Sequence, residues 1–424
     1  MLSGMLTVAQ WDLKQRVRSR KLFVIWIVWA VVLTAIAGGI IRVAYQASRY
    51  SDSPERWAEL TGPTIFGFTV LLMLAFALVV VPIFSASAIV AERESATLAT
   101  LQATTLTASQ IVGGKLVSAA VVAAAFLAGG LPAIGLAVGV GHIGVFRALI
   151  CLAVMYVEMV VLCAIALGWS AVAARSLVST VLSYLTAFAL SIVTLIAFAL
   201  IGLMPTTYTF NRTWSVTNQQ SNDYAAQLHT YFATHPKSDG TQPPAPPLDQ
   251  CMWHASQYPS AHTHSERSWW LLLGNPFVIV SDAAPLPPAT RGDIEAYLSD
   301  GAVDPLAVIA AGVRQARLGD PSTYYDCFTG DTWVYDGEWS YRIRANNDGT
   351  FTIRQNLYAT SDVRTTAVTQ RPPAPIAPQA ITMNTPLWPM GLAVHLLIAA
   401  LFFWLAVRRV SVPYGVLPKG QRVA

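Results

Sequence analysis

The sequence predicts an all-α polytopic membrane protein, with six transmembrane helices, cytoplasmic termini and a mixed α+β domain inserted between helices five and six. Three observations support this fold class. The chain of 424 residues is 54% hydrophobic and only 12% charged, whereas soluble domains contain about 25% charged residues. Six stretches have the roughly 20 apolar residues that a helix needs to cross a bilayer. Residues 206–385 differ in composition, with 11 basic and 16 acidic residues.

The predicted spans are residues 22–41, 64–90, 116–140, 148–169, 177–204 and 387–407. Residues 1–21 are basic with apolar residues near helical spacing, so we expect an amphipathic helix in the membrane interface. Basic residues concentrate in this helix, in the loops after spans two and four, and in the tail 408–424. The positive-inside rule therefore places these parts in the cytoplasm. We expect their basic residues to lie near membrane lipid and not to bind nucleic acid.

Residues 205–386 are expected to form the extracytoplasmic domain. Cys251 and Cys327 both lie in it, and on the oxidising side of a membrane they are a plausible disulfide pair. Asp304-Pro305 followed by an apolar run and Gly319 predicts a capped helix. Segments 333–335, 339–344 and 350–355 alternate apolar and polar residues between turn signals, which predicts a three-stranded meander.

The apolar stretch 269–280 is too short to span a membrane. Its composition fits a segment that dips into the outer leaflet or lines the junction with the membrane. It fits a buried core element equally well, so the sequence leaves these alternatives open.

The cytoplasmic segment 91–110 has an ordered motif. It reads Glu92-Arg93-Glu94-Ser95-Ala96-Thr97-Leu98, and Leu101, Thr104, Leu106 and Gly114-Lys115 follow. Thr107 and Gln110 match a capping box, which predicts that a new helix starts there and enters the third span.

This motif resembles the type-2 permease family of ATP-binding-cassette exporters. In that family, the loop between spans two and three reads Glu-Arg-Glu, a small residue, Gly-Thr-Leu, a turn with Thr-Pro-Leu, and later Gly-Lys. The chain departs from this pattern at Ala96, at Ala99 and at Thr105, where the family has Gly, an acidic residue and Pro. The six spans and the Ala173–Ser176 turn also fit the family, but the external domain is larger than usual.

The resemblance implies an exporter permease in the cytoplasmic membrane of a prokaryote. It would form the translocation pathway with a second permease chain, identical or related, above two copies of a separate ATPase. The residues implied to couple to the ATPase are Glu92, Arg93, Glu94, Thr97, Leu98, Leu101, Thr104, Leu106 and Arg175. In this view Leu98 and Leu101 enter a groove on the ATPase, while the charged residues contact its rim.

The chain itself has no ATPase motif, since Gly113-Gly114-Lys115 is followed by Leu116 and lacks the earlier glycine of a phosphate loop. ATP and Mg²⁺ would therefore be bound by the partner subunit, and this chain needs no cofactor of its own. No catalytic constellation stands out, so we expect no enzymatic activity in the chain.

One acidic residue and one histidine interrupt the spans. Glu158, near the middle of the fourth span, is a candidate pathway residue because a charge there usually faces a cavity or a partner. His395, in the last span, is interpreted as a packed histidine. By resemblance, spans two and five line the pathway, and their apolar and hydroxyl side chains suit an amphipathic or lipid-like substrate.

The external histidines offer a weak metal signal. Cys251-x-x-His254 and His262-x-His264 have usable spacing, but Cys251 cannot serve both a disulfide and a metal. We therefore predict no metal site.

Two other functions are compatible with the sequence. In one, a non-transporting membrane subunit uses ATPase-driven motion to signal to, or recruit, an envelope protein through its external domain. In the other, the chain is a membrane sensor without any ATPase.

Overall fold

A computed structural model of the protein describes residues 2–17, 20–48, 57–95, 97–98, 105–141, 143–204, 206–234, 243–284, 304–320, 323–325, 327–328, 331–337, 339–345, 350–355, 364–367 and 385–411. The chain divides into two compact units. A helical unit contains residues 1–202, 266–317 and 383–424, and a sheet unit contains residues 203–265 and 318–382.

The described α-helices are α1 (Leu2–Val17), α2 (Arg20–Ser48), α3 (Trp57–Ser85), α4 (Val90–Glu94), α5 (Ala108–Gly129), α6 (Leu131–Gly141), α7 (Val145–Val172), α8 (Ser176–Phe188), α9 (Thr194–Phe198), α10 (Asn218–Thr234), α11 (Pro276–Ala283), α12 (Pro305–Leu318) and α13 (Trp388–Val410). Among the described residues, six stretches of the helical unit are long and apolar enough to cross a membrane, which confirms the six predicted apolar spans. They correspond to α2, α3 with α4, α5, α7, the helix from α8 to Leu203, and α13.

The third predicted span, 116–140, is not one helix. α5 begins earlier, at Ala108, where Thr107 and Gln110 form the predicted capping box. It ends at Gly129, and the shorter α6 follows after Gly130. Pro132, which lacks a backbone N–H, stands in the first turn of α6 and explains why the two segments do not form one continuous ladder.

The amino-terminal helix α1 packs along α5. Gly113 and Gly114 allow this approach, because a β-carbon on Gly114 would lie 2.6 Å from Val8 Cβ and 2.7 Å from the Met5 carbonyl oxygen. The outer side of α1 exposes Trp11. The helix therefore has a protein-facing side as well as the lipid-facing side that its sequence predicts.

The fifth span contains two π-helical turns, Ala189–Val193 and Ala199–Leu203, on either side of α9. A π-helical turn shifts the backbone out of the regular hydrogen-bond ladder and is frequent at functional sites. The carbonyl of Ser191 in the first turn accepts a hydrogen bond of 2.6 Å from the Asn275 side chain.

Residues 266–317 belong to the helical unit, which differs from the predicted external domain 205–386. Within them the apolar stretch 269–280 forms a 3₁₀ segment (Trp269–Gly274) and the start of α11. Val278, Ile279 and Val280 are buried, and α11 packs on α7 and α13. The α11 part of the stretch is therefore a buried core element, because its apolar side chains are covered by neighbouring spans, whereas Trp270 in the 3₁₀ segment is 56% exposed.

Two buried ion pairs fasten this region. Asp304 caps α12 by accepting from the backbone N–H groups of Leu306 and Ala307, as the sequence predicted, and it also pairs with Arg147 at the start of α7. Asp282 pairs with Arg314 at 2.7 Å and accepts a 2.8 Å hydrogen bond from the backbone N–H of Trp388. Each carboxylate thus satisfies a helix amino terminus and an arginine together.

The sheet unit contains two antiparallel-rich sheets. Their strands are β1 (Thr206–Ser215), β2 (Met252–Thr263), β3 (Thr323–Tyr325), β4 (Asp331–Tyr335), β5 (Ser340–Ala345), β6 (Thr350–Gln355) and β7 (Arg364–Ala367). The first sheet has the order β2-β1-β3, and the second the order β4-β5-β6-β7. β4, β5 and β6 confirm the predicted meander, and β7 extends it.

The core of the sheet unit lies between α10 and the second sheet. Tyr224, Leu228 and Phe232 of α10 pack against Tyr341 and Ile353. Burial raises the pKa of the Tyr224 phenol, whose hydroxyl donates to the Pro244 carbonyl at 3.0 Å. Cys251 and Cys327 form the predicted disulfide at the edge of this core.

Candidate functional site

The candidate site lies around α4, where the motif residues meet the turn between α7 and α8. Arg93 is only 3% exposed. Its guanidinium donates to the carbonyl oxygens of Ala171, at 2.9 Å, and Ala173, at 3.0 Å. These carbonyls end α7 and have no partner within the helix, so a buried cation compensates them well.

Glu94 binds the start of the next helix. Its carboxylate accepts hydrogen bonds from the backbone N–H of Ser176, at 2.8 Å, and from the Ser176 hydroxyl, at 2.6 Å. Arg175, the N-cap residue of α8, makes no side-chain capping bond. Glu94 therefore supplies the anionic acceptor that the amino terminus of α8 requires.

Two serines complete the attachment of this segment. The Ser170 hydroxyl of α7 accepts from the backbone N–H groups of Ile89, at 2.9 Å, and Val90, at 3.1 Å. The Ser179 hydroxyl of α8 donates to the Ala86 carbonyl at 2.6 Å. Both serines are fully buried, so the turn after α3 and helix α4 are held on α7 and α8 at four points.

A chain of charges extends from α4 to α1. Lys115 of α5 is 2% exposed, and its ammonium lies 2.6 Å from Glu92 Oε1 and 4.0 Å from Asp12 Oδ1. Asp12 pairs with Arg16 at 2.8 Å, and Arg16 donates to the Phe84 carbonyl at 3.1 Å. These contacts join α1, α3, α4 and α5.

Two of the motif residues are buried within the helical unit. Leu98 is 3% exposed and packs with Ile111, Leu167 and Ala406. Leu98 and the buried Arg93 thus contact this chain's own helices, whereas the prediction placed them on the surface that meets the ATPase. Leu106 is half-buried against the same cluster, and Leu101 and Thr104 lie outside the described residues.

The outward-facing residues at this end are different ones. Ser95, Thr97 and Arg175 are exposed, and Leu177 is 75% exposed. The Thr97 hydroxyl donates to the Glu92 carbonyl at 3.2 Å, so its backbone position is fixed. A surface of small polar side chains with one arginine and one leucine is available to a partner.

Glu158 and His395, which lie in the fourth and the last span, form one buried pair. His395 Nδ1 lies 2.6 Å from Glu158 Oε2, and Nε2 lies 3.0 Å from the Gly274 carbonyl oxygen. A carbonyl only accepts, so Nε2 carries a hydrogen. A hydrogen bond between Nδ1 and Oε2 needs a proton on one of these two atoms.

The pair belongs to a longer polar path inside the helical unit. Asn275 follows Gly274, and its amide donates to the Ser191 carbonyl and, at 3.0 Å, to Thr194 Oγ1 in the fifth span. Spans four, five and six are thus connected by polar groups through the 274–275 turn. The sequence could have indicated the Glu158–His395 pair, because ionisable residues within membrane spans usually pair with one another.

An apolar cavity lies among α2, α3, α5 and α7. Its lining includes Trp29, Met73, Phe76, Phe126 and Met159. The second span contributes to its wall, whereas no residue of the fifth span does.

The external histidines do not form a metal centre among the described residues, where no group of three or more His, Cys, Asp or Glu residues meets. His254 Nε2 lies 3.1 Å from the Ser215 carbonyl oxygen, and His262 Nε2 lies 2.6 Å from Asn211 Oδ1. These are local contacts of the first sheet, and Cys251 is occupied by the disulfide.

No protein-family model matches the chain, and no curated protein matches it.

Proposed function

We propose that the protein is the permease subunit of an ATP-driven exporter of the ATP-binding-cassette type. One observation supports this most: the Glu92–Leu98 motif is built into the ends of several spans at once. Arg93 and Glu94 hold the turn between α7 and α8, and Glu92 reaches Lys115 of α5. A docked subunit that moves α4 would move these helices with it.

The contacts suit the transmission of force. Hydrogen bonds with one ionised partner are about twice as strong as neutral ones, and the two cations involved, Arg93 and Lys115, are buried. The apolar cluster of Leu98, Ile111 and Ala406 adds α13 to the same body. In this mechanism the motif residues work from inside the permease, and the ATPase contacts residues next to them.

Arg175 and Leu177 are the contact residues we propose for the ATPase. Arginine is enriched at interface centres, where its planar donors and apolar stem both contribute. The ATPase would bind ATP and Mg²⁺, in two copies, below two permease chains that form the pathway together.

The proposed orientation places α4 in the cytoplasm and the sheet unit outside. The positive-inside rule supports the first placement, and the Cys251–Cys327 disulfide supports the second, because disulfides persist in oxidising compartments. An inner membrane of a prokaryote provides both conditions. By resemblance, the apolar and hydroxyl side chains of spans two and five suit an amphipathic or lipid-like substrate.

The test is a gentle extraction of the tagged chain from its native membrane, followed by identification of co-purifying proteins and an ATPase assay. We expect an ATP-hydrolysing subunit in the wild-type sample, and several-fold less of it with Arg175→Ala. Arg267→Ala is the matched control, since Arg267 is 63% exposed and lies near the other end of the fifth span, where Ser268 bonds to Phe198.

Two outcomes would overturn the proposal. One is that no ATP-hydrolysing subunit co-purifies after mild extraction, which would favour the sensor. The other is that Arg175→Ala and Arg267→Ala retain the ATPase and its activity equally, which would remove the α7–α8 turn from the docking surface.

A further inference from the structure

The first half of strand β1 and the last half of β2 form a two-stranded ribbon with two unlike faces. The pairing register sets Tyr208 opposite Ala261 and Phe210 opposite Pro259. The intervening positions pair Thr207 with His262 and Thr209 with Ser260. Directly opposed residues share a face and faces alternate along a strand, so one face is apolar and the other is polar.

The ribbon exposes its apolar face. Tyr208 is 71% exposed and Phe210 is 59% exposed, and Pro259 and Ala261 are exposed as well. On the polar face, His262 of β2 is only 5% exposed and Ser260 is half-buried, whereas Thr207 and Thr209 of β1 are exposed. An antiparallel ribbon in water commonly covers its apolar face and leaves only the polar face outside. Here the apolar face is left outside as well.

The polar face is held from within the sheet unit. His262 Nε2 lies 2.6 Å from Asn211 Oδ1, and Nδ1 lies 3.7 Å from Asp320 Oδ2. These contacts orient the ribbon, because turning the aromatic face inward would strip His262 of both neighbours. The outward position of Tyr208 and Phe210 is therefore a consequence of the packing.

Chain connectivity limits the distance between this face and the membrane. The fifth span ends at Leu203 and β1 begins at Thr206. An extended chain advances at most about 3.5 Å per residue, so Tyr208 lies within about 18 Å of the end of the span. The paired strand ends at Thr263, just before Trp269 and Trp270, and tryptophan is enriched at membrane interfaces.

We propose that the face formed by Tyr208, Phe210, Pro259 and Ala261 rests in the headgroup region of the lipid bilayer. Tyr and Phe next to proline and alanine provide an amphipathic and apolar surface without a charge, which matches the chemistry of that region. The sheet unit then has a lipid contact beside its covalent connections to the spans. This inference goes beyond the proposed transport function and is independent of it.

The test is spin labelling of the full chain in phosphatidylcholine nanodiscs that hold one copy each. Nitroxides are attached at Phe210→Cys and, as the matched control on the other face, at Thr209→Cys. The background is low, because Cys151 and Cys163 are buried and Cys251 and Cys327 are bonded. The measurement compares collision with oxygen, which concentrates in lipid, and with a water-soluble nickel chelate.

We expect the ratio of oxygen to nickel accessibility to be several-fold higher at 210 than at 209. A label at Ala261→Cys repeats the test on the facing strand with a minimal change of size, in case the loss of Phe210 disturbs the ribbon. Equal nickel access at 209, 210 and 261 would overturn the proposal in favour of a water-facing surface. Protection of 210 and 261 from both reagents would overturn it in favour of a protein contact.

Discussion

At the residue scale, the most informative feature is that motif side chains which appear available for docking are used inside the chain. Arg93 binds two carbonyls at the end of α7, and Glu94 binds Ser176. Charged residues in a short loop are usually solvated, so burial of Arg93 requires a specific compensation. The helix ends provide it, which makes Arg93 a positioning residue for α4.

Replacement of Arg93 by methionine tests this role. Arg93→Met keeps an unbranched stem but leaves the carbonyls of Ala171 and Ala173 without their charged donor, so the free energy of unfolding should fall by about 2–4 kcal/mol. Arg175→Met, an exposed control, should change it by less than about 0.5 kcal/mol. Denaturant titration in mixed micelles measures both, and equal effects would refute the positioning role.

The Glu158–His395 pair makes a second prediction at this scale. Either single change, Glu158→Leu or His395→Leu, leaves a buried polar partner alone and should lower the free energy of unfolding by about 3–5 kcal/mol. The double replacement removes both groups and should recover most of that loss. The same denaturant titration gives the coupling free energy between the two residues. If the double variant loses as much free energy of unfolding as the two single variants together, the residues do not interact.

At the element scale, the irregular fifth span depends on a side chain from another segment. Its first π-helical turn directs the Ser191 carbonyl to Asn275, which also caps α11 by accepting from Phe277 and Val278. Asn275 is fully buried. One amide therefore stabilises a short helix and an irregular turn in neighbouring elements.

Asn275→Ser separates these two functions. Serine is a good N-cap but is too short to replace the amide that reaches Ser191. We expect faster hydrogen exchange across residues 187–198, while the amides of Phe277 and Val278 keep their protection. Asn275→Ala should speed exchange in both regions. It should also lower the free energy of unfolding by about 2 kcal/mol, because the helix cap is missing and the Ser191 carbonyl is unpaired. Unchanged exchange in the fifth span would mean that this contact is dispensable.

At the scale of the whole molecule, the two units rely on different interactions. The helical unit has an apolar core with a few buried ion pairs, whereas the sheet unit adds a disulfide across 76 residues of sequence. A cross-link over such a long loop restricts the unfolded chain strongly. The units are therefore expected to respond differently to reducing agents.

The disulfide prediction concerns the sheet unit alone. Cys251→Ser with Cys327→Ser should lower its free energy of unfolding by about 4 kcal/mol in the chain-entropy account. Limited proteolysis should then cut residues 206–265 while the spans stay intact, and reduction of the wild-type protein should give the same fragments. Protease resistance that survives reduction would contradict the expected contribution.

The proposed orientation is testable by labelling in intact cells. A membrane-impermeant maleimide should label Thr234→Cys in the sheet unit and should leave Thr97→Cys, beside α4, unlabelled until the membrane is permeabilised. Both side chains are exposed, so access depends on the side of the membrane. The reverse pattern would refute the proposed topology.

Much of this architecture was predictable, because it depends on local patterns. The six apolar stretches, the Thr107–Gln110 capping box, the helix after Asp304 and the meander of β4 to β6 follow from composition, spacing and turn residues within short windows. The disulfide was predictable because only two cysteines lie outside the spans. Ala99, Leu101 and Thr104 of the motif lie outside the described residues.

What the tertiary structure alone decided concerns partners that are distant in sequence. The burial of Leu98 and Arg93, the pairing of Glu158 with His395, and the inclusion of residues 266–317 in the helical unit depend on contacts across as many as 237 residues. The sequence determined which segments must avoid water, because transfer free energy is a property of each side chain. The hydrogen-bond partner of each buried polar group depends on how the helices and strands are arranged in space. Only the folded chain brings such partners together.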